Sequence, residues 1–273
     1  MINIEQFKLL SEEEKVKEIE KGLEDKDEDV RWTAIEQIQY LNNEEDKVKL
    51  IEKGLEDEDW YVHAGAIEQI KYLNNDKDKA KLIEKGLEDE YRDVRATAMW
   101  RVQNLNNDED KVRLIEKGLE DEYGYVRETA MQQIQFLNND EDKVRLIEKG
   151  LENEDWHVRE KAIWQVQYLN NDEDKVRLIE KGLKDKDKDV RETAMRQIQF
   201  LNNDEDKVKL IEKGLENEDW EVRAAAKEIA QQLHLEDKIN IEKIQSLEDY
   251  SKENETNSKD NINKDIDNKD IEH

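Results

Sequence analysis

The chain has 273 residues, of which 43% are charged and 35% are hydrophobic, with a formal net charge of −28 and neither proline nor cysteine. The lack of cysteine excludes disulfides, Cys-ligated zinc and a thiol nucleophile. The acidic balance argues against nucleic acid and anionic membrane surfaces, because binding to both depends on Lys and Arg. We therefore expect any charged partner to be basic.

The N-terminal region has the features of neither a membrane span nor a signal peptide. No apolar run in the chain reaches the roughly 18 residues that a span requires, and acids stand where a signal peptide needs an apolar run. We expect a cytoplasmic protein. Ile4, Phe7 and Leu9 predict a truncated helix, so that residues 1–10 form an N-terminal cap.

From residue 11 onward the chain repeats itself every 32 residues. The stretch LNNDEDKVRLIEKGL occurs word for word at Leu105, Leu137 and Leu169. Seven repeats fill residues 11–233, and we expect them to form one domain. One glycine and one valine mark each period: Gly22, Gly54, Gly86, Gly118, Gly150, Gly182 and Gly214; Val30, Val62, Val94, Val126, Val158, Val190 and Val222.

Each repeat predicts two helices. In the first, DKVRLIEKGL has apolar residues at helical spacing, Asn-Asn-Asp supplies N-cap residues, and Glu141 and Arg145 are spaced for an i,i+4 ion pair. The second has the pattern VRxTAxxQIQxL, with apolar positions 0, +4, +8 and +11 counted from the valine. The glycine predicts a close approach of helices, since no glycine-rich phosphate loop surrounds it. Stacking of such repeats predicts an all-α fold, an α-solenoid of seven 32-residue helix-turn-helix units.

The second helix and the turn before it carry the pattern DxDxxVRxxAxxxL, which resembles HEAT-like repeats. The likeness is strongest to the short bacterial type of phycobilisome-lyase-like proteins, on which the αRep designed binders are based. It implies a right-handed superhelix, second helices that line a concave surface, and an Asp–Arg ladder of hydrogen bonds between repeats. His63 replaces the Arg once, and Asn153 and Asn217 replace an Asp, so we expect a weaker ladder there. The residues that carry the pattern in the first repeat are Asp25, Asp27, Val30, Arg31, Ala34, Ile38 and Leu41.

The residues that differ between repeats fall on one side of the second helix. Positions −2, +2, +6 and +10 are spaced by four and lie opposite the apolar face. Exposed tryptophan is typical of binding hot spots, although packing between repeats is the alternative. Aromatics at +10 are interpreted first as seals between repeats. The tryptophans are Trp60, Trp156 and Trp220 at −2, Trp32 at +2, and Trp100 and Trp164 at +6; the +10 aromatics are Tyr40, Tyr72, Phe136, Tyr168 and Phe200.

An acidic and aromatic surface suits a basic partner, because carboxylates pair with Lys and Arg and Trp faces accept cations. We predict a monomeric, non-enzymatic scaffold that binds a basic protein or peptide. The repeated Gln at +9 either contacts the bound backbone or forms a solvated polar row. A spacer that binds nothing is the bland alternative. The predicted partner-binding residues are Trp32, Trp60, Tyr61, Trp100, Tyr125, Glu128, Trp156, Glu160, Trp164, Glu192 and Trp220.

Signatures of catalysis and of metal binding are missing from the sequence. The histidines belong to no metal motif, and the serines lie outside the stacked middle. Asp25, Asp27, Asp29 and Glu36 match part of a calcium loop, but Val30 stands where that loop needs glycine. We expect no cofactor and no metal. A lyase or enzyme-accessory role on a flat ligand is the alternative that the resemblance implies.

The C-terminal region departs from the repeat. Lys227 stands where the other repeats have Ile or Met. Ile239, Ile241, Ile244 and Leu247 predict a capping helix over residues 234–248. Residues 249–273 are rich in Asn, Asp and Lys and predict a disordered acidic tail.

Overall fold

The computed structural model describes residues 4–239, and within them fifteen α-helices and no strand are found. A short helix, α1 (Ile4–Lys8), precedes seven helix pairs, which confirms the predicted all-α solenoid. The first helices of the pairs are α2 (Glu12–Gly22), α4 (Glu44–Gly54), α6 (Asp76–Leu87), α8 (Asp108–Leu119), α10 (Asp140–Leu151), α12 (Asp172–Gly182) and α14 (Asp204–Leu215). The second helices are α3 (Glu28–Glu36), α5 (Trp60–Glu68), α7 (Arg92–Arg101), α9 (Gly124–Gln133), α11 (Trp156–Trp164), α13 (Lys188–Gln197) and α15 (Trp220–Gln232).

The chain divides into two compact units at the end of the fifth repeat. The first unit ends at Tyr168 and the second begins at Leu169. Within the first unit, each second helix packs against its own first helix and against the second helices of its neighbours, while the first helices contact one another less. The second unit has the same arrangement, in which α13 packs beside α15.

The glycine lies where a first helix meets two second helices at Gly54, Gly86, Gly118, Gly150 and Gly214. A Cβ atom on Gly54 would lie 2.4 Å from Ile35 Cδ1 and 2.9 Å from Ala66 Cβ. Ile35 belongs to the preceding repeat and Ala66 to the same repeat, and both are fully buried. The predicted close approach is therefore confirmed, and it explains why a residue that costs about 1 kcal/mol in a helix recurs here.

In the first six repeats the second helix changes to a 3₁₀ turn before the repeat ends, whereas α15 remains α-helical through Gln232. The Gln39 side chain donates to the Glu36 carbonyl oxygen at 2.8 Å, and the buried Lys47 donates to the Tyr72 carbonyl oxygen at 2.9 Å. The same two contacts recur along the chain. The predicted stripe therefore ends at +6, and the Gln at +9 bonds its own helix. The 3₁₀ segments are Gln37–Tyr40, Gln69–Tyr72, Val102–Asn104, Ile134–Phe136, Gln165–Tyr168, Ile198–Phe200 and Glu236–Lys238.

The two ends of the described chain differ from what the sequence predicts. Phe7 is fully buried against the edge of Tyr40, at 6.3 Å between ring centroids, but Leu9 is 86% exposed, so its predicted packing is wrong. After α15, His234 adopts a left-handed backbone with φ 55. A 3₁₀ turn then follows in place of the start of the predicted capping helix. The remainder of that helix, with Ile241, Ile244 and Leu247, and the tail 249–273 lie outside the described residues.

Within each unit, polar residues of the repeated stretch link neighbouring first helices. Asn138 donates from its backbone N and its side-chain Nδ2 to Asp108, at 2.7 and 3.1 Å. Asn139 caps α10 by accepting from the Glu141 backbone N at 2.9 Å. Burial opposes ionisation of Asp108, but the backbone hydrogen bond from Asn138, together with the hydrogen bond and charge of Lys111, outweighs it and lowers its pKa. The Asn-Asn-Asp triplet therefore caps one helix and joins it to its neighbours.

Ion pairs form a second set of links between first helices. Lys53 binds Glu24 at 3.0 Å, and Lys149 binds Glu120 at 2.9 Å. Arg145 pairs with Glu116 of the preceding repeat and contacts Asp142 rather than the predicted Glu141, because stacking places Glu116 beside it. Most charges of the repeated stretch are thus used within the scaffold.

An Asp–Arg ladder joins successive turns, as the family resemblance implies. Arg31 donates from Nε and Nη2 to the two carboxylate oxygens of Asp57, at 2.8 and 3.0 Å. Its Nη1 also donates to the backbone oxygen of Asp25 at 3.1 Å. Arg95 and Asp121 repeat the bidentate contact at 2.6 and 3.1 Å. Such planar, charge-assisted pairs are stronger than neutral hydrogen bonds.

The ladder is weaker where its residues change, as predicted. Arg127 faces Asn153 and binds Asp155 through a single contact of 3.2 Å. Its buried Nε has no acceptor among residues 4–239. His63 keeps one side-chain contact, to Asp89 at 2.8 Å.

Candidate functional site

The candidate site is the second-helix face, defined here as positions −2, −1, +2 and +6 of the second helices. Asp59 accepts from the Tyr61 backbone N at 2.9 Å and so starts α5 at Trp60. Residues at −2 and −1 therefore stand in the first turn, away from the buried positions 0 and +4. The exposed aromatics of this face are Trp60 (43%), Tyr61 (40%), Tyr125 (58%), Trp164 (49%) and Trp220 (65%), of which Trp220 belongs to the second unit.

One predicted anchor is held by the scaffold. The Trp32 ring stacks on Tyr61, with centroids 5.3 Å apart and an interplanar angle of 16°. A Cβ atom on Gly65 would lie 2.9 Å from Trp32 Cδ1, so the glycine makes room for the indole. Trp60 lies edge-on to Tyr61 at 5.8 Å. Trp32, Trp60 and Tyr61 thus form one cluster in which Trp32 supports the two exposed rings.

The other two predicted tryptophans are half-buried. Trp156 stacks on His157, with ring centroids 3.7 Å apart. Trp100 accepts the Gln103 side-chain amide at its backbone oxygen, at 2.9 Å. The structure brings neither of them into the Trp32 cluster through a ring contact.

The three predicted acids differ in how far their charge is already paired within the protein. Glu128 makes no hydrogen bond or ion pair within the described part of the chain. Glu160 lies 3.6 Å from Lys161. Glu192 accepts from Arg196 at 2.9 Å and is therefore largely neutralised within its own helix.

An acidic pair beside the aromatic cluster is less well compensated. Asp59 precedes Trp60 directly, and its carboxylate, through the interaction of the two side chains and its negative charge, raises the pKa of Glu28. Burial raises the pKa of Glu36, and Lys71 opposes this shift only in part. The shift of Glu28 shows that the negative charge of Asp59 beside it is not fully compensated, whereas that of Glu36 reflects burial. A cation placed there would relieve it.

Tyr123 was missed by the sequence prediction, although it is 41% exposed. It stands at position −3, where most repeats have a capping Asp, and it makes no side-chain cap hydrogen bond. The guanidinium of Arg95 lies 5.1 Å from the centre of its ring. In the sequence, the replacement of a capping residue by tyrosine was the feature that distinguished this position. The contact with Arg95 shows that an aromatic ring of this protein accepts a cation.

Two further features bear on the kind of site. Between residues 4 and 239, no group of three or more His, Cys, Asp or Glu side chains is arranged to hold a metal ion. In that same range no helix is both long and apolar enough to cross a bilayer.

Solved structures with similar folds are only distantly related in sequence. Cex1p is 14% identical, with a TM-score of 0.55 over 90% of this chain and 54% of its own. Kap95p, in its complex with RanGDP, is 13% identical, with a TM-score of 0.52 over 85% of this chain and 38% of its own. This chain therefore spans about half of Cex1p and less of Kap95p. Identity at this level shows the fold alone.

A phycocyanin lyase complex is also among the solved structures that resemble this chain. The complex of CpcE and CpcF of phycocyanin lyase from Nostoc sp. is 16% identical and covers 82% of this chain and 95% of its own, with a TM-score of only 0.41. No curated protein matches this chain in sequence.

The family is shown by the repeats themselves. The family model for HEAT repeats matches residues 16–103 and 112–194, more than half of the chain. The chain belongs to the HEAT-repeat family.

Proposed function

We propose that this protein is a non-enzymatic scaffold that binds a basic segment of another protein on the second-helix face of its first unit. The observation that carries the proposal is the exposure of Trp60, Tyr61 and Trp164 on a scaffold that does not require them. At the positions equivalent to Trp60, other repeats have Glu28 or Arg92 and fold in the same way. HEAT-repeat architecture supports this reading, since Kap95p holds a protein partner, RanGDP.

The basic character of the partner follows from the charge beside the aromatic cluster. The negative charge of Asp59 raises the pKa of Glu28 next to Trp60. Among residues 4–239 the Glu128 side chain has no ion pair, and it lies three residues after the exposed Tyr125 in α9. A Lys or Arg side chain between a carboxylate pair and an indole face gains both an ion pair and a cation–π contact. We therefore expect the bound segment to be rich in Lys or Arg.

A pair of peptides of equal length tests this proposal. One is rich in Lys and Arg, and the other has the same residues in between but Asp and Glu in place of the bases. Binding to the full chain is measured by fluorescence anisotropy of the labelled peptide, at low and moderate salt. We expect the basic peptide alone to bind, and the W60A/W164A double variant to weaken it about tenfold or more.

Matched variants distinguish binding at the second-helix face from attraction to the net negative charge of the protein. Glu28→Gln should weaken binding of the basic peptide. Glu109→Gln removes the same charge from an exposed position on a first helix and should leave that binding unchanged. Leu9→Ala is the control for an exposed apolar side chain outside the face. Equal weakening by Glu28→Gln and Glu109→Gln, or full binding by the double variant, would show that the peptide senses only net charge and would overturn the proposed site.

A further inference from the structure

The joint between the sixth and seventh repeats lacks two acids together, whereas the joint at Asn153 lacks only one of them. Lys184 stands where other repeats have Glu24 or Glu120, each of which binds a lysine of the following repeat. The corresponding lysine here, Lys213, binds Glu180 instead. The side chain of Lys184 is exposed and makes no ion pair or hydrogen bond within the described residues.

The second missing acid belongs to the Asp–Arg ladder. Asn217 occupies the position that Asp57 has in the second repeat, so Arg191 loses its bidentate partner. Arg191 is only 8% exposed, and its Nη2 reaches Asp219 at a long 3.4 Å. Its buried Nε finds no acceptor among residues 4–239. A buried guanidinium N–H without an acceptor is costly, and an incoming anion would satisfy it.

These residues line one open cavity of about 440 Å³ between the turns of the sixth and seventh repeats, within the second unit. Lys184, Arg191 and Lys213 line it together with Asn217. The exposed acids Glu216 and Glu218 and the partly buried Asp185 line it as well, so acids and bases balance there. At the corresponding positions of the first and second repeats, acids outnumber bases clearly.

We propose that this cavity binds a small molecule through a phosphate group. In an intact joint, a single aspartate accepts the hydrogen bonds of the ladder arginine. In this joint that aspartate is missing, and two further cations, Lys184 and Lys213, line the same cavity. That set suits a doubly charged oxyanion better than a carboxylate, since a guanidinium fork and lysines together match a phosphate monoester. The site lies in the second unit and does not depend on the proposed binding of a basic segment.

Inorganic phosphate is the probe, with the full chain and with chloride at equal ionic strength as the reference. Binding is measured by isothermal titration calorimetry and by the phosphate-dependent rise in Tm. Asn217→Asp restores the ladder carboxylate and Lys184→Glu restores the ion pair with Lys213. We expect each substitution to weaken phosphate binding about tenfold or more and to remove the rise in Tm, while the variants themselves stay folded.

A matched control lies in the first unit. Asn153→Asp makes the same ladder repair beside Arg127, where Glu120 still pairs with Lys149, and it should leave phosphate binding unchanged. Phosphate binding by the wild type that is lost only in the two repaired variants supports the site. No binding by the wild type, or an equal response in all four proteins, would overturn it.

Discussion

His63 occupies a ladder position where the other repeats have arginine. Its smaller imidazole ring still makes two polar contacts. Its Nδ1 lies 2.8 Å from Asp89, and its Nε2 lies 2.6 Å from the Asp57 carbonyl oxygen. Both partners are acceptors, so both ring nitrogens must carry a proton for both hydrogen bonds to form. The hydrogen bond to Asp89 accordingly raises the pKa of His63, against the opposing effect of burial.

A pH dependence of stability follows from this histidine. Because its folded-state pKa lies above the unfolded value of about 6.5, the charged ring stabilises the fold fully below that value. This contribution is lost as pH rises through the folded-state pKa. We expect the free energy of unfolding, measured by urea denaturation, to fall between about pH 6 and the alkaline side of that pKa.

The matched variant is His63→Arg, which restores the residue of the other repeats. Arg95 shows that an arginine here binds both the next carboxylate and a turn carbonyl. The variant should therefore keep its stability over the same pH range. If the wild type and His63→Arg lose stability in parallel, the dependence arises from other groups.

At the scale of the helix, the 32-residue period was enough to predict which elements form, but not how each element ends or how its side chains pack. Valine, alanine and glycine at fixed steps were enough to predict the helix pairs and the close approach at Gly54. The 3₁₀ ends were not predictable, because they depend on tertiary contacts such as the reach of Lys47 to the Tyr72 carbonyl oxygen. For the same reason, side chains on one helical face differ: Trp32 is packed over Gly65 while Trp164 is exposed.

The link between first helices gives a prediction for α8. Asp108 accepts two hydrogen bonds from Asn138, whereas the neighbouring Glu109 is exposed and makes no such link. Asp108→Ala should therefore lower the free energy of unfolding by about 1 kcal/mol, since the backbone N of Asn138 then has only water as a partner. Glu109→Ala should change it by under about 0.5 kcal/mol.

The two substitutions are matched in their effect on the N-terminus of α8. Each removes one negative charge from the first turn of α8, so the loss of favourable interaction with the helix dipole is shared. Only Asp108 joins two repeats. Equal midpoints of denaturation for the two variants would mean that the hydrogen bonds to Asn138 add nothing to stability.

At the scale of the whole molecule, the net charge of −28 is not distributed as a simple repulsive shell. The acids of the repeated stretch accept from asparagines and lysines of adjacent repeats, as Asp108 and Glu24 do. The variable positions, including Glu28 and Glu128, carry only part of the negative charge, and the repeated stretch is itself acidic. The repeated acids contribute to the links between repeats, whereas the acids at variable positions differ from one repeat to the next.

The contacts that hold each repeat are made with its immediate neighbours, which is the condition for a solenoid to fold in parts. A fragment of residues 1–168 keeps α1 to α11 and every contact described for the first unit. We expect it to show helical circular dichroism and a cooperative urea transition. It should also bind the basic peptide within about twofold of the full chain, a difference under about 0.5 kcal/mol. A fragment that folds but binds more than tenfold more weakly would show that residues of the second unit, such as Trp220, complete the binding surface; an unfolded fragment would show that five repeats do not bury enough apolar surface alone.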